Sequence, residues 1–388
     1  MSLAQGLLAE DLAELPSRRA EDWRWTDLRG LIRQPLPVSR QLGETVQSGG
    51  PFAALGADEF VIANGRLNWW PADDLSGGLK FFQHQAPDAS RLAERLPMAR
   101  LAASHAGGPA ANILEFGAGT PVALVRFVSR AETTAHHARL GVVVKSGARA
   151  TLLESYEGAG GDYVSNVLLE IFLEAGARLE RIVLLDDVAS GVSVSTAEVF
   201  LAPEAAYAQT VLAGGAKRQR IETRLAHPGG GASVRLDGVY LLNEQRLADI
   251  TTVVTHEGVD GATDQLTKGV VTDQARGVFQ GRIVVQPGAD RTDARMGHHA
   301  LILSDRAEVD AKPELEIFAD DVACAHGNTV GALDEEALFY AEQRGIPEAD
   351  ARAMLTEAFV GEVVDRIAHE GAREVVRAWV AGRLGGQG

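Results

Sequence analysis

Short segments rich in Val, Leu and Ile alternate with turns of small residues from about residue 135 to residue 330. Thr151–Tyr156 and Glu180–Leu185 are two such segments, and each follows a turn that begins Gly-Ala-Arg. Segments of this length and composition between turn signals predict β-strands. Helical periodicity is largely missing here, so the pattern favours a mainly β fold.

The turns of this region recur at a nearly constant interval. Their first residues lie 29, 28, 27 and 30 positions apart, and they are Gly147, Gly176, Glu204, Gly231 and Gly261. Repeats of this length are typical of stacked coils, in which each repeat closes its core against its neighbours. The spacing therefore predicts a β-solenoid. An ordinary β-sandwich is the alternative, because a sandwich also has strands at regular spacing.

The N-terminal pattern is partly helical. A run of leucines at helical spacing before Pro16 predicts an amphipathic helix that ends there, namely Leu3, Leu7, Leu8, Leu12 and Leu15. Two tryptophans, Trp23 and Trp25, follow in a polar segment. We expect them to pack this segment onto the rest of the protein, and a partner contact is the alternative, since Trp is enriched at interfaces.

The C-terminal pattern is helical again. Acids at Asp334–Glu336 suit a first helical turn, Gly345 ends that helix, and Pro347 opens the next one. A third, shorter helix is expected around Val375–Val380. The second helix has six residues spaced to share one apolar stripe, namely Met354, Leu355, Ala358, Phe359, Val363 and Ile367.

These patterns divide the chain into three expected regions. They are a mixed, partly helical region over residues 1–130, a β core over 131–333 and a helical domain over 334–388. The length of 388 residues is enough for one large domain or for two to three smaller ones.

Composition and charge argue against several classes of function. The formal net charge of −16 argues against a broad nucleic-acid surface, which needs clustered Lys and Arg. Cys324 is the single cysteine of the chain, so an intrachain disulfide is ruled out and a reducing compartment is favoured. The N-terminus does not resemble a signal peptide, and no stretch approaches the roughly 20 apolar residues that span a bilayer. We therefore expect a cytoplasmic protein.

Cys324 and His326 are the strongest candidates for site chemistry. Two positions apart in a strand, their side chains point the same way, and a thiolate with an imidazole is able to bind a soft or borderline metal. Two ligands are too few for a closed site, so a partner chain would have to supply the rest. The alternatives are a buried structural cysteine beside a hydrogen-bonded histidine, and a Cys–His nucleophile pair.

Other polar residues are weaker candidates. His298 and His299 are adjacent, so in a strand they face opposite ways and do not chelate as a unit. A phosphate-binding loop, a nucleophile elbow, a zinc-binding His-Glu-x-x-His helix and a dinucleotide fingerprint are all missing from the sequence. A solenoid enzyme acting on polysaccharide is the rival hypothesis, with four available acids, Asp290, Asp293, Asp305 and Asp310.

The polar stretch from Gly277 to Asp334 carries the most specific pattern. It contains, in order, Phe279–Ile283, Thr292–Ala294, Leu301–Ser304, Lys312–Ile317, Ala319–Val322 and Cys324–Gly327. These motifs resemble the SufB/SufD family of iron–sulfur cluster assembly scaffolds. The tryptophan segment Trp23–Leu28 and the C-terminal helices are also similar to that family.

The resemblance implies a right-handed parallel β-helix flanked by helical regions. It implies a non-enzymatic scaffold that works with SufB and the ATPase SufC. A homodimer of the isolated chain is compatible with the resemblance but is not implied by it. Cys324 and His326 would contribute to a site shared with SufB, where an iron–sulfur cluster is held transiently and not as a tightly bound cofactor. The region that docks SufC would include Phe339, Met354, Leu355 and Phe359.

Two further points concern the place of the chain within that family. The single cysteine favours the SufD branch, because SufB relatives usually carry more cysteines. The chain departs from the common pattern at Ala325 and Asn328, where many relatives have Ser and Ala. It also has Met296 and His299–Ala300 where Gln and Asn are common, which leaves the roles of His298 and His299 open.

Overall fold

The computed structural model describes residues 4–71, 75–85, 95–106 and 110–385. Most of these residues form a parallel β-solenoid of about 8 turns, as the repeat predicts. Each coil contributes one strand to each of two sheets, so strands two apart in the chain are neighbours in a sheet. None of the helices within the described ranges is both long and apolar enough to cross a membrane.

The first sheet has ten strands in the order β19-β17-β15-β13-β11-β9-β7-β5-β1-β2. All its neighbours are parallel except the antiparallel pair β1–β2. Its strands are β1 (Asp58–Ala63), β2 (Arg66–Trp69), β5 (Val122–Ala131), β7 (Arg149–Gly160), β9 (Arg178–Asp186), β11 (Ala206–Ala213), β13 (Ser233–Leu242), β15 (Ala262–Val271), β17 (Asp293–Ile302) and β19 (Ala323–Gly331).

The second sheet has nine strands in the order β18-β16-β14-β12-β10-β8-β6-β4-β3. The pair β4–β3 at the end of this order is antiparallel, and all other neighbouring strands are parallel. Its strands are β3 (Leu79–Gln85), β4 (Ala110–Phe116), β6 (Thr134–Val144), β8 (Tyr163–Leu173), β10 (Val192–Leu201), β12 (Arg218–His227), β14 (Leu247–His256), β16 (Arg276–Val285) and β18 (Glu308–Ile317).

Helices lie at both ends of the described chain. Three are N-terminal, α1 (Asp11–Glu14), α2 (Leu28–Leu31) and α3 (Pro97–His105). Three are C-terminal, α4 (Glu335–Glu342), α5 (Glu348–Val364) and α6 (Glu370–Gly385). The carboxylate of Asp334 accepts hydrogen bonds from the first backbone N–H groups of α4, and Pro347 precedes α5, which matches the predicted helix starts.

The turns set the step from one coil to the next. Residue pairing between successive strands from β7 to β15 advances by 29, 28, 27 and 29 positions, close to the predicted turn spacing. Gly147, Gly176 and Glu204 have positive φ, and the last of these turns has its left-handed residue at Asp260, one position before the predicted Gly261. The N–H of Gly147 donates to Ala175 O in the next coil, so the turns are hydrogen-bonded to each other like the strands.

The interior between the sheets is mostly aliphatic and contains a fully buried ion pair. Arg181 donates two hydrogen bonds to the carboxylate of Glu154, at 2.6 and 2.9 Å, and a third to Gln209. Both charged side chains have no exposed surface. Because each charge is desolvated, each depends on the other for compensation.

The N-terminal segment covers the outer face of the second sheet. Trp23 is 5% exposed and its ring stacks on the buried guanidinium of Arg220, 4.3 Å from the ring centroid, which fits the predicted packing role. The predicted leucine-rich helix is wrong, because between residue 4 and Pro16 helix is limited to α1, while Leu3 lies outside the described residues. Leu7 exchanges backbone hydrogen bonds with Leu36, and its side chain, like that of Leu15, is buried among residues of this covering segment.

The C-terminal helices cover the outer face of the first sheet. Val360, Val363 and Val364 of α5 pack against strand residues that include Leu212 and Leu241. The predicted stripe is therefore only partly right, since Met354 points away from the solenoid and is 56% exposed.

Polar contacts fix these helices to the sheet. Lys268 pairs with Glu362, and its ammonium group lies 4.5 Å from the ring centroid of Phe359. Arg366 contacts Asp237 at 3.2 Å, while Glu180 accepts hydrogen bonds from two backbone N–H groups just before α6. The division at residues 130 and 333 stays a prediction, because sheet strands run from Asp58 to Gly331.

Removing one member of the interior ion pair is expected to destabilise the fold strongly. Arg181→Met leaves the Glu154 carboxylate buried without its partner, which costs about 3–5 kcal/mol of unfolding free energy. Urea unfolding followed by circular dichroism measures this loss. The matched control is Arg352→Met, which breaks an exposed pair with Glu348 one helical turn away and costs about 0.3–0.5 kcal/mol. Equal losses in the two variants would contradict the expectation.

Candidate functional site

The solenoid ends at a coil whose two strands each have one neighbour. β18 pairs with β16 and β19 with β17, and within the described ranges neither strand has a second ladder partner. We call this last coil, made of β18 and β19, the open end. Its outward backbone N–H and C=O groups are free to pair with another chain.

The two free edges differ. The N–H of Ala323 donates to the carbonyl oxygen of Thr292, the residue just before β17, and bonding direction alternates along a strand. The N–H groups of β19 that face away from β17 therefore belong to Cys324, His326, Asn328 and Val330. In β18 the N–H of Glu308 donates to Ala275 O, so the even-numbered residues of this strand direct their backbone groups toward β16. Pro313 is odd-numbered and therefore lies at a position that faces outward. The β18 edge is thus interrupted by a residue without an N–H, whereas the β19 edge is continuous.

The side chains of Cys324 and His326 lie on one face of β19, the face that closes the solenoid interior. Cys324 pairs in register with Ala294, and His326 with Met296, both of which are buried in β17. Because no further coil covers β19 in the described chain, Cys324 is half-buried and His326 is exposed. The two candidate ligands are therefore at the rim of the interior.

The surroundings of Cys324 are apolar. Its side chain packs beside a cluster that includes Phe279, Ile283 and Met296. Burial raises the pKa of the Cys324 thiol, and the carboxylate of Asp293 raises it further, although a backbone hydrogen bond from Ala294 opposes the shift. The thiol is accordingly protonated at neutral pH, and a bound metal ion would have to displace the proton.

The ligand set of this pair is incomplete in one chain. Among the described residues there is no group of three or more His, Cys, Asp or Glu side chains placed to hold a metal ion. Iron–sulfur clusters usually require about four protein ligands, mostly cysteine. Any iron–sulfur species at Cys324 and His326 would therefore need ligands from elsewhere.

His298 and His299 have different surroundings, as strand alternation predicts. His298 is buried, its ring stacked on Phe279 at 4.6 Å, and it contacts the Tyr240 hydroxyl and Asn328. Burial lowers its pKa to about 4, so the imidazole is neutral. The exposed ring nitrogen Nδ1 of His299 contacts Thr329 at 2.7 Å on the outer face. Sequence reasoning left the role of His298 open, because Tyr240 is 58 positions away in the chain.

The four predicted partner-binding residues lie in α4 and α5 with different exposure. Phe339 is 62% exposed and Met354 is 56% exposed, while Leu355 is half-buried. Phe359 is also half-buried and contacts Lys268 of β15 at the junction of helix and sheet. Phe339 and Met354 are thus the most accessible of the four.

The four acids of the polysaccharide hypothesis are distributed over different parts of the last coils. Asp290 lies in the turn before β17, Asp305 in the turn after it, and Asp310 in β18, where it pairs with Arg276 at 2.6 Å. Asp293 contacts Arg295 at 3.3 Å. No observation on these residues favours glycan chemistry.

Comparison with known proteins identifies the class of the central region. Residues 127–359 match the family model described as SUF system FeS cluster assembly, SufBD core domain. The chain is 29% identical over 389 residues to the iron-sulfur cluster assembly protein SufD of Escherichia coli, covering 96% of this chain and 90% of that protein. It is 25% identical to a SufBD family protein of Mycobacterium leprae, covering 94% and 89%. It is 27% identical to SufD of Bacillus subtilis, covering 66% and 59%.

The raised pKa of Cys324 predicts slow alkylation in the folded chain. A raised pKa means a smaller thiolate fraction at a given pH, so iodoacetamide should modify Cys324 more slowly than an unperturbed thiol between pH 7 and 9. Mass spectrometry of quenched samples follows the reaction. The same chain in urea is the control, since there the thiol is unburied, and a folded rate equal to or above the urea rate would rule out the assigned environment.

Proposed function

The chain belongs to the SufBD family of iron–sulfur cluster assembly proteins, and from this premise we propose that it is a SufD-type scaffold subunit that works with SufB and the ATPase SufC. The observation that carries the proposal is the open end, where Cys324 and His326 lie at the rim with too few ligands for a cluster. A second chain that covers this end would bury the rim and complete the ligand set.

SufB is the proposed occupant of the β19 edge. The outward N–H groups of Cys324, His326, Asn328 and Val330 offer a continuous row of donors for strand addition. Covering the last coil would also remove apolar interior surface from water, including the side chain of Val330, which is 44% exposed. Pairing at this edge brings the ligands of the second chain next to Cys324 and His326.

Iron–sulfur species are the cargo of the proposed site. The Cys324 thiol is protonated in the isolated chain, and coordination to iron would deprotonate it. A cluster bound by two ligands from each of two chains would be held transiently, because separation of the chains would take the ligand set apart. In this proposal the chain has no catalytic residue of its own, and it acts in a reducing compartment, the cytoplasm.

SufC is the proposed partner of the C-terminal helices. Phe339 and Met354 place large apolar side chains on the surface of α4 and α5, which is typical of docking sites. Leu355 and Phe359 extend this region toward the sheet. β19 leads to α4 through residues 332–334, so a displacement of α4 by a bound ATPase would act on the strand that carries Cys324.

Co-purification tests the proposal directly. When the three proteins are expressed together, this chain should be recovered with SufB and SufC at micromolar concentration. Cys324→Ser should leave the complex intact and reduce its iron and sulfide content about tenfold after anaerobic reconstitution, because a ligand is lost. His299→Ala, on the outer face of the neighbouring strand, is the control and should keep the cluster. Absence of the complex, or full cluster content in Cys324→Ser, would falsify the proposal.

Strand addition at β19 is tested by removing one outward donor. Val330→Pro deletes an N–H that faces away from β17, so the chain keeps its own ladder and loses an edge hydrogen bond. We expect binding of SufB to weaken about tenfold, from the lost bond and the ring at the interface. Val330→Ala shortens the same side chain but retains the N–H, and biolayer interferometry compares the two. Equal affinity of both variants would exclude pairing at this position.

A further inference from the structure

A groove lies on the outer face of the first sheet, where β7, β9, β11 and β13 begin. Its volume is about 460 Å³, within the range of about 300–1,000 Å³ that is typical of small-molecule sites. The C-terminal helices cover the same face further along the strands, and of that region only Ala368 lines the groove. Its floor is low because β11 contributes two small side chains there, Ala206 and Ala208.

Three arginines line this groove, and they lie on both sides of β11. Arg149 and Arg178 are on one side, in β7 and β9, and Arg235 is on the other side, in β13. Strands two steps apart in a sheet are separated by roughly 10 Å, a gap that two long arginine side chains are able to bridge from either side. The guanidinium groups are therefore placed to contact one ligand above Ala206 and Ala208.

The stacked pair Arg149 and Arg178 departs from the charge pattern of the solenoid. Ion pairs elsewhere join opposite charges 29 to 32 positions apart, in successive coils, and they include Arg139–Glu170, Lys145–Glu174 and Arg282–Glu314. Arg149 and Arg178 are paired in register one coil apart, and both are positive. Like charges directly opposite each other in a sheet are destabilising. Local arrangements that cost stability in this way are typical of functional sites.

Neither arginine of the stacked pair is neutralised by this chain. Within the described ranges Arg149 and Arg178 form no ion pair and no side-chain hydrogen bond, and both are exposed. The hydroxyl groups of Thr151 and Ser233, which also line the groove, are likewise without side-chain hydrogen bonds among those residues. The net charge of the whole chain is −16, so acids are abundant in the sequence but are not placed beside this pair.

Arg235 and Glu180 complete the charges of the groove. Arg235 Nε lies 3.1 Å from the buried carboxylate of Asp237, and Arg235 Nη2 lies 3.8 Å from Glu180, too far for a hydrogen bond. Both oxygens of Glu180 accept backbone N–H groups just before α6. Three guanidinium groups and one carboxylate line the groove, which leaves a surplus of two positive charges.

We propose that this groove binds a diphosphate group, either free or as part of a nucleotide. Guanidinium groups form bidentate hydrogen bonds with phosphate oxygens, and their planar geometry makes arginine well suited to phosphate recognition. One phosphate contacts Arg149 and Arg178, and the phosphate linked to it contacts Arg235 across β11. The negative charge of the ligand also offsets the repulsion within the stacked pair.

Isothermal titration calorimetry of the full chain with pyrophosphate tests the site. We expect one site per chain, and Arg178→Gln should weaken binding about tenfold because charge-assisted hydrogen bonds are lost. The matched control is Arg377→Gln, which makes the same change of charge at an exposed arginine of α6 that pairs with Asp365, and it should bind like the wild type. Undetectable binding by the wild type, or equal weakening in the two variants, would overturn the proposal.

A charge reversal separates binding from stability. Arg149→Glu places a carboxylate opposite Arg178 and creates the pairing of opposite charges that other coils have. This variant should unfold at the same urea concentration as the wild type or at a higher one, and it should lose pyrophosphate binding, since stability and binding compete at this position. Wild-type binding by Arg149→Glu, or unfolding at a lower urea concentration, would contradict the role assigned to the unpaired charges.

Three further probes define the ligand. Inorganic phosphate reaches the arginines on one side of β11 only, so it should bind about tenfold more weakly than pyrophosphate, and equal affinities would overturn the two-sided geometry. ADP carries the diphosphate on a nucleoside; tighter binding than pyrophosphate would support a nucleotide as the source, and equal or weaker binding would support free diphosphate. An oligoglutamate peptide that binds more tightly than either would overturn the assignment in favour of an acidic protein segment.

Discussion

Backbone hydrogen bonding between successive coils is the constraint on which this structure depends. Each coil satisfies the N–H and C=O groups of the one before it, in the strands and also in the turns, where the N–H of Gly147 reaches Ala175 O. Such stacking has no internal stopping point. The last coil must leave one row of backbone groups and one layer of interior side chains without a neighbour, and this layer contains Cys324 and His326.

The outer faces of both sheets are covered by other segments of this chain, whereas the open end is not covered by any described residue. The N-terminal segment covers one sheet through Trp23 and the buried guanidinium of Arg220, and the C-terminal helices cover the other through aliphatic packing and ion pairs such as Lys268 with Glu362. In both coverings a buried cationic side chain of the sheet contacts the covering segment, Arg220 beneath Trp23 and Lys268 beside Phe359. The protein therefore supplies its own cover for the sheets, while a second chain is the proposed cover for the end.

Local signals explain how much of this arrangement was predictable from the sequence. Turn spacing gave the coil length, because each turn requires a left-handed residue, and the helix starts at Asp334 and Pro347 followed from capping chemistry. The leucine run before Pro16 misled, because Leu7 and Leu15 lie outside helix α1 and are buried by tertiary contacts of the covering segment. Strand alternation placed Cys324 and His326 on one face. It could not reveal the exposure of that face or the contact between His298 and Tyr240, since both depend on which distant coils become neighbours.

Pro313 has a consequence for the size of the assemblies that this chain can enter. Two uninterrupted parallel edges at one end would allow copies to add one after another, as in fibrous cross-β aggregates. The proline blocks regular pairing along β18, and the opposite end of each sheet finishes with an antiparallel strand, β2 or β3, which does not match the parallel edge of β19. This mismatch disfavours head-to-tail pairing between the β19 edge of one copy and the opposite end of another.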